Sequence, residues 1–378
     1  MQNKLQKTNQ DLILAKTSVM LTQTEKLLIE LNERNPDSIP MYRCNNQRTG
    51  LINDEGISGN PSIAWTFHDL YTVHSSPVVH ANKVFFGADS KALFCLDVAD
   101  GHELWRFKTP REVRSTPLIK DGLAWFGCFD HHLYCIRTDK GILRWKFKTG
   151  DWIFSSAAIQ AETLVFGSLD HNLYALNAHK GSLLWKFESG GWIVSSPAIY
   201  HDTVFFGSRD AKLYALELRT GRQIWSVLVD GGAHASPAIF DGYLYIGTVG
   251  RTFYCKNSSN GHTVWEFKTS SPVFSSASVS SNHVVFGTKD GTVYCLDRLT
   301  GLKVWEYNAG RAVHSSPVIC NGIVYFGCDD SYLYAVGITK GTQIWNYQTS
   351  DIIRSTPTIY KQNILIGGSR LYCLKENA

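Results

Sequence analysis

The chain has 378 residues, 44% of them hydrophobic and 12% aromatic, with 31 glycines, 11 tryptophans and 17 tyrosines. That composition is too apolar for disorder and suits many short strands joined by tight turns. Its 37 basic and 33 acidic residues leave a formal net charge of +4 without basic runs, which argues against nucleic acid or an anionic membrane surface as a partner.

Residues 1–40 carry apolar side chains at helical spacing (Ile13, Leu14, Met20, Leu21, Leu27, Leu28, Leu31) up to Asn35-Pro36, and the spacing predicts a short amphipathic helix. Two roles stay open for it: packing on the side or floor of the domain that follows, or contact with a partner or a second copy. No segment reaches the roughly 18 apolar residues of a membrane span, and the amino terminus lacks the apolar core of a secretory signal. A cytoplasmic location is expected. Residues 41–62 read as a connector containing Gly and Asn.

From residue 63 onwards the chain is periodic. Trp65, Trp105, Trp145, Trp185, Trp225, Trp265, Trp305 and Trp345 recur at one constant interval, as do the glycines Gly87 to Gly367 and a Ser-Ser-Pro-like triplet that begins at Ser75, Ser115, Ser155, Ser195, Ala235, Ser275, Ser315 and Ser355. In each unit the triplet opens a first strand. A turn such as Asp121-Gly122, Asp241-Gly242 or Asn321-Gly322 follows, with residues that accept the positive φ of two-residue hairpins. The second strand is almost wholly apolar (Val204-Phe-Phe-Gly207), as expected of a strand buried on both faces. A turn with Asp130, Asp170, Asp210, Asp290 or Asp330 leads to a third strand of the type Leu213-Tyr-Ala-Leu216, and a glycine turn leads to the fourth, which bears the Trp. Four strands in a unit of about 40 residues make a propeller blade.

The repeat runs out of phase at its ends. A Trp-bearing strand at 63–67 precedes the first triplet, and the last unit stops at Leu374 without one. The expected fold is therefore an all-β, eight-bladed propeller of four-stranded antiparallel blades over residues 63–378, closed by strand 63–67. Five of the nine cysteines (Cys95, Cys135, Cys255, Cys295, Cys373) share one repeat position with Ala175, Ala215 and Ala335. On neighbouring blades such positions lie roughly 10 Å apart, too far for a disulfide, so all nine are read as thiols.

The pattern Ser-Ser-Pro, apolar strand, Gly-Ser-x-Asp, Leu-Tyr-Ala-Leu, Thr-Gly, Trp, clearest from Ser195 to Trp225, resembles the pyrroloquinoline-quinone-type (PQQ-like) repeat. No Trp-Asp dipeptide of the WD40 kind occurs. The resemblance covers residues 63 to 374. It extends to quinoprotein dehydrogenases, to the propeller lipoprotein of outer-membrane β-barrel assembly, and to propellers attached to kinases or adenylating enzymes. These share blades and differ in function.

The eight framed tryptophans are read as structural, and Trp125 as core. Function is sought where the repeat symmetry breaks. Trp152 and Trp192 stand at one position in the loops entering two neighbouring blades and, with Ile153, Phe154, Ile193 and Val194, suggest either an apolar contact patch or packing between blades. The residue before each triplet also varies: His74, Arg114, Phe154, Val194, His234, Phe274, His314 and Arg354. Near the mouth of the central channel these side chains, helped by Arg111 and Arg311, would either attract an anionic ligand or fill space between blades; exposed imidazoles would add charge near pH 6. His131-His132 reads as a solvated turn.

The expected function is a non-catalytic scaffold that binds a protein or peptide on its loop face, through an apolar anchor with acidic flanks, and uses no cofactor or metal. The blades carry no insertion from which to build a substrate pocket. The first alternative is a quinone-dependent dehydrogenase, for which the resemblance implies long inter-blade insertions, a vicinal Cys-Cys disulfide and calcium-binding carboxylates; this chain has no adjacent cysteines. The second alternative is a sensor or regulatory propeller acting with a separate catalytic chain.

Overall fold

The computed structural model describes residues 38–68 and 71–377. Residues 78–376, together with the strand Pro61–Phe67, form eight antiparallel blades. Blade 1 runs Val78–His80, Lys83–Ala88, Ala92–Asp97, Glu103–Lys108, and the pattern recurs with the period of the sequence through blade 7. Blade 8 takes Thr358–Tyr360, Asn363–Gly367 and Leu371–Glu376 from the end of the chain and its outer strand, Pro61–Phe67, from before blade 1, with Trp65 opposite Cys373. The ring is thus closed by pairing the two ends of the repeat, which leaves no three-stranded sheet with an open edge.

The periodic residues each hold one junction. Every framed tryptophan donates its indole N–H to a backbone carbonyl of the next blade, as in Trp185 to Leu218 and Trp225 to Ser258, both 2.9 Å. Trp345 completes the set by donating to Ile57, 3.1 Å. Its ring face requires a neighbour without a side chain: a Cβ on Gly221 would lie 2.6 Å from the Trp185 ring, and Gly221 also has φ +71°. The apolar core accordingly runs as seams between blades; one of them gathers Leu118, Trp125, Ile153, Leu164 and Phe166.

The triplet has a division of labour that its composition does not reveal. Its first serine is tied within the blade: the Ser115 hydroxyl accepts from Gly127 N at 2.7 Å and donates to Gly127 O at 2.9 Å. Its second residue links blades. The N–H of Ser76, Thr116, Ser156, Ser196, Ser236, Ser276 and Thr356 each donates to the hydroxyl of the equivalent residue on the next blade, at 2.8–3.1 Å. Between blades 7 and 8 the Ser315 hydroxyl donates instead to the Ser355 carbonyl, 2.8 Å. A belt of hydroxyls therefore encircles the channel.

The stretch read as a connector differs most from expectation. Residues 38–52 form a strap that circles the channel and pairs with the inner strands. Ser38–Ile39 pairs with Val79–His80 of blade 1, where the sequence reading extends a helix to residue 40; the rest of that expected helix lies outside the described residues. The carbonyls of Pro40, Asn46, Gln47, Thr49 and Gly50 then accept from the N–H of Ile119, Ile199, Ile239, Val279 and Ile319, and Leu51–Ile52 pairs in parallel with Ile319–Cys320. The Asn46 side chain serves Ile159 of blade 3. Each inner strand is a sheet edge with unpaired amides, and on blades 1 to 7 the strap supplies partners for them.

Two arginines of the strap fill the channel. Arg43 and Arg48 are 2% and 0% exposed. Arg48 donates to the carbonyls of Pro197 (3.1 Å), Ser156 (3.1 Å), Ala157 (2.7 Å) and Tyr42 (2.5 Å). Arg43 donates to Pro317 (2.8 Å), Arg48 (3.3 Å), Thr49 (3.4 Å) and Ala277. Burial pushes both pKa values down, that of Arg48 to about 10, and the guanidinium, the most basic side chain, is the group that keeps its charge in such a site. Carbonyl dipoles take the place of carboxylates here, and the wide guanidinium fork suits donors that must reach several blades at once.

Replacing Arg48 by Met keeps bulk and removes the charged donor to four carbonyls. A loss of about 3 kcal/mol or more in unfolding free energy is expected, read from urea denaturation; a loss below ~1 kcal/mol would show that the guanidinium does not hold the blades. A chain starting at residue 71 loses both strap and closing strand and is expected to aggregate. A monomer with unchanged melting temperature would contradict closure by Pro61–Phe67.

Candidate functional site: the mouth of the channel

Five residues before the strap's contact point on each inner strand stands the residue that precedes the triplet, and these eight positions ring the opposite end of the channel. Three of them pack beside the position two residues after the Gly87-type glycine, 25 residues earlier in the chain: Arg114 with Asp89, Phe154 with Phe129, Arg354 with Asp329. The mouth is consequently divided into two chemically different sectors.

Blades 7, 8, 1 and 2 make the polar sector. Arg114 grips Asp89 through Nε and Nη2, both 2.8 Å, and His74 Nε2 lies 3.5 Å from the same carboxylate. Arg354 grips Asp329 at 3.0 and 2.8 Å, with His314 Nε2 3.8 Å away. Forked pairs of this kind fix geometry as well as charge, and the Asp329 carboxylate raises the Arg354 pKa. The two arginines expected to present free positive charge are therefore neutralised in place. Arg111 likewise faces Glu112 at 3.2 Å.

Blades 3 to 6 make the apolar sector. Trp152 stacks on Phe129 with ring centroids 4.8 Å apart and planes within 4°, and Phe154 leans on the same ring at 4.4 Å. Trp192 is 45% exposed and carries the Arg209 guanidinium 5.5 Å from its ring centre, a cation–π contact. Ile153 and Ile193 do not join this surface: both are fully buried, where a Cβ on Gly127 or Gly167 would meet them at 2.3 Å. Trp125 lies in the core, 1% exposed, and donates to Ala178 O at 3.0 Å. His132 donates twice to Asp130 within its own turn, from its backbone N–H to the carboxylate at 3.2 Å and from Nδ1 to the carbonyl at 2.9 Å.

The condition for added charge near pH 6, exposed imidazoles, is not met. Burial lowers the pKa of His74 and His314 despite their carboxylate neighbours, and burial with the Arg209 charge brings His234 down to about 4. His234 sits edge-on to Phe274, ring centroids 5.2 Å apart, and its buried Nε2 has no hydrogen-bond partner. Burial therefore works against protonation at all three rings, and His234 stays neutral near pH 6. Asp89, Phe129, Arg209 and Asp329 escaped the sequence reading. The signal that would have found them is their own departure from repeat symmetry, two residues after each framed glycine.

The blades, the regular repeat and the triplet belt define the class: a PQQ-like β-propeller. Residues 159–363, more than half of the chain, match the family described as the β-propeller of beta-alanine-activating enzyme, and the chain belongs to that family. Residues 58–151 match outer membrane protein assembly factor BamB. No curated protein matches the sequence. Among solved structures, BamB from Moraxella catarrhalis is 16% identical with a TM-score of 0.74, over 84% of this chain and 100% of that one. Quinohemoprotein alcohol dehydrogenase from Comamonas testosteroni is 12% identical with a TM-score of 0.81, over 93% and 82%. The computationally designed Ika8 protein is 17% identical with a TM-score of 0.75, over 83% and 99%. At such identities the likeness concerns the fold.

The lowered His234 pKa has a sign that can be tested. Between pH 6.5 and 4 the unfolded chain binds the proton and the folded one does not, so stability is complete above about pH 6.5 and falls as pH is lowered towards 4. About 1–2 kcal/mol of this loss is assigned to His234, allowing for its partial exposure. Denaturation midpoints of the wild type and His234→Asn from pH 7 to 4.5 should converge as pH falls; parallel curves would contradict a neutral, desolvated ring.

Proposed function

We propose that this protein is a non-catalytic binding module whose working surface is the apolar sector of the mouth. The observation that carries the reading is the contrast between the sectors: the ionisable groups of blades 7, 8, 1 and 2 are engaged with one another, whereas Trp192 and, half-buried, Trp152 offer aromatic surface outward. General acid–base work at neutral pH needs a group poised near pH 7, and the mouth imidazoles are held below their usual range. A large aromatic in a loop, backed by a stacked partner, is the side chain that most often anchors a protein contact. The partner is expected to offer an apolar anchor. The acidic flanks lose their basis at this site, because Arg114 and Arg354 are already paired.

The residues here do not fit a calcium-held quinone of the kind the resemblance implies. The mouth carboxylates Asp89 and Asp329 stand on blades 1 and 7, each already gripped by an arginine. Among the described residues no group of three His, Cys, Asp or Glu side chains is spaced for a metal ion, and none of the nine cysteines is in a disulfide. Nine thiols suit a reducing compartment, and a cytoplasmic location is part of the proposal. Membership of the family of the beta-alanine-activating enzyme propeller supports a second reading, in which the module serves as the sensor or regulatory propeller of a catalytic unit of that type.

The test is capture of partners by the intact chain and by the double variant Trp152→Ala, Trp192→Ala. The variant should keep the fold, with its unfolding free energy within about 2 kcal/mol of the wild type for partly exposed side chains, and should lose the partner. Retention by the double variant combined with loss on removing residues 1–40 would assign the interaction to the amino-terminal segment. Micromolar binding of pyrroloquinoline quinone with dye-linked turnover would overturn the non-catalytic reading.

A further inference from the structure

The period of the repeat conceals a charge cluster that the linear sequence does not display. The position after each framed tryptophan holds Arg106, Lys146 and Lys186 on blades 1, 2 and 3, and two residues further on stand Lys108, Lys148 and Glu188. Folding brings these onto the outer edges of three consecutive blades, and all are exposed. On blades 5 and 6 the position after the tryptophan holds Glu266 and Glu306 instead, so the rim has a basic side and an acidic one. Two acids near the basic side are already engaged, Glu103 by Arg106 and Asp139 by Arg137.

Blade 2 concentrates the feature. Its outer strand, Ile142–Lys148, carries Arg144, Lys146 and Lys148 at alternate positions with no acid among its seven residues. Every other outer strand either includes an acid or, as in Pro61–Phe67, Gln223–Leu228 and Gln343–Gln348, has no charge. At its start Ile142 and Leu143 are 52% and 42% exposed, and on blade 3 Leu183 and Leu184 are 46% and 49% exposed. The strand pairs on one side only, with His132–Arg137, so the N–H and C=O groups of its other edge have no sheet partner among the described residues. These sheets take additional strands: blades 1 and 7 each carry a fifth, at the inner edge, from the strap.

We propose that the outer edge of blade 2 is a docking edge for an acidic extended peptide of a partner protein. The peptide adds to Ile142–Lys148 as a fifth strand by main-chain hydrogen bonds. Its side chains alternate in orientation, so acids at every second position meet Lys146 and Lys148 on the regular part of the strand and a further acid reaches Arg144 at the bulge beside Leu143, and an apolar residue at its end covers Ile142 and Leu143. The alternation of charge with an open backbone edge favours a strand over a nucleic acid or a lipid surface, either of which would require charge alone. This surface is separate from the mouth and does not depend on the reading given for it.

The test uses the full chain and a labelled peptide of about ten residues with Glu at alternate positions and Val or Thr between. Fluorescence anisotropy should show binding that weakens about ten-fold between roughly 50 and 300 mM salt. A peptide of the same composition with its acids in one block should bind at least about ten-fold less well, since its charges cannot follow the pleat. The variant R144E/K146E/K148E, checked for an unchanged unfolding midpoint, should lose the Glu peptide and bind its Lys counterpart. Amides of residues 142–148 of the wild type should gain hydrogen-exchange protection on binding, and the Trp152, Trp192 double variant should bind as the wild type does. Absence of peptide binding, equal binding of the block peptide, missing protection at 142–148, or binding confined to oligouridine RNA or phosphatidylserine vesicles would each overturn the proposal. The wild-type protection and block-peptide results decide the matter even if the charge-reversed variant is poorly folded.

Discussion

Every blade of a propeller ends at the axis in a sheet edge, and eight such edges facing one channel leave eight rows of amides and carbonyls that must find partners away from bulk water. The architecture of this protein follows from how that demand is met. The hydroxyl belt serves one level of the channel, where at seven of the eight junctions the N–H of the triplet's second residue finds the next blade's Ser or Thr. The strap serves the next level, accepting from Ile119, Ile199, Ile239, Val279 and Ile319 in turn. Arg43 and Arg48 then use their forked donors on the carbonyls that remain, reaching blades 3, 4, 6 and 7. Two cations without carboxylates are tolerable here because several carbonyl dipoles converge on each of them.

The same demand divides the molecule into regions that must repeat and regions free to vary. Tryptophan, its glycine neighbour and the belt hydroxyl each complete a junction, so all eight blades need them or a close equivalent. Side chains at the mouth and on the rim complete nothing that recurs. The mouth uses its freedom to pair residues 25 positions apart by kind, carboxylate with guanidinium and ring with ring, and its polar half ends nearly neutral. The rim of blade 2 instead keeps a row of cations with no acid in the same strand, facing water on an edge without a second neighbour. The two proposals accordingly assign attraction for an acidic partner to the rim and aromatic contact to the mouth.

Similarity to both an assembly factor and an alcohol dehydrogenase at 12–16% identity is what this division predicts. Junction residues preserve the ring whatever the ring is used for, so structural likeness follows the belt and the tryptophans while function follows loops and edges.

The number of blades, the order of strands, the closing role of Pro61–Phe67 and the structural part of the tryptophans were legible in the sequence, because each is a local pattern repeated eight times and periodicity magnifies it. The turn aspartates were legible for the same reason: Asp210 accepts from Lys212 N and Tyr214 OH within a single loop. What the sequence could not display were the contacts made once and at long range. Arg48 meets Ala157 across 109 positions, and nothing in Met41–Ile52 repeats to announce it. The Asp89–Arg114 and Asp329–Arg354 pairs turned expected free cations into neutral couples, and burial lowers the imidazole pKa values that exposure would have left free to gain charge near pH 6. Lysines a full repeat apart became neighbours on the rim. A repeated local pattern is determined by the residues that form it, whereas charge state, burial and the path of a unique segment depend on which distant groups the closed ring brings within a few ångströms, and only the tertiary structure decides that.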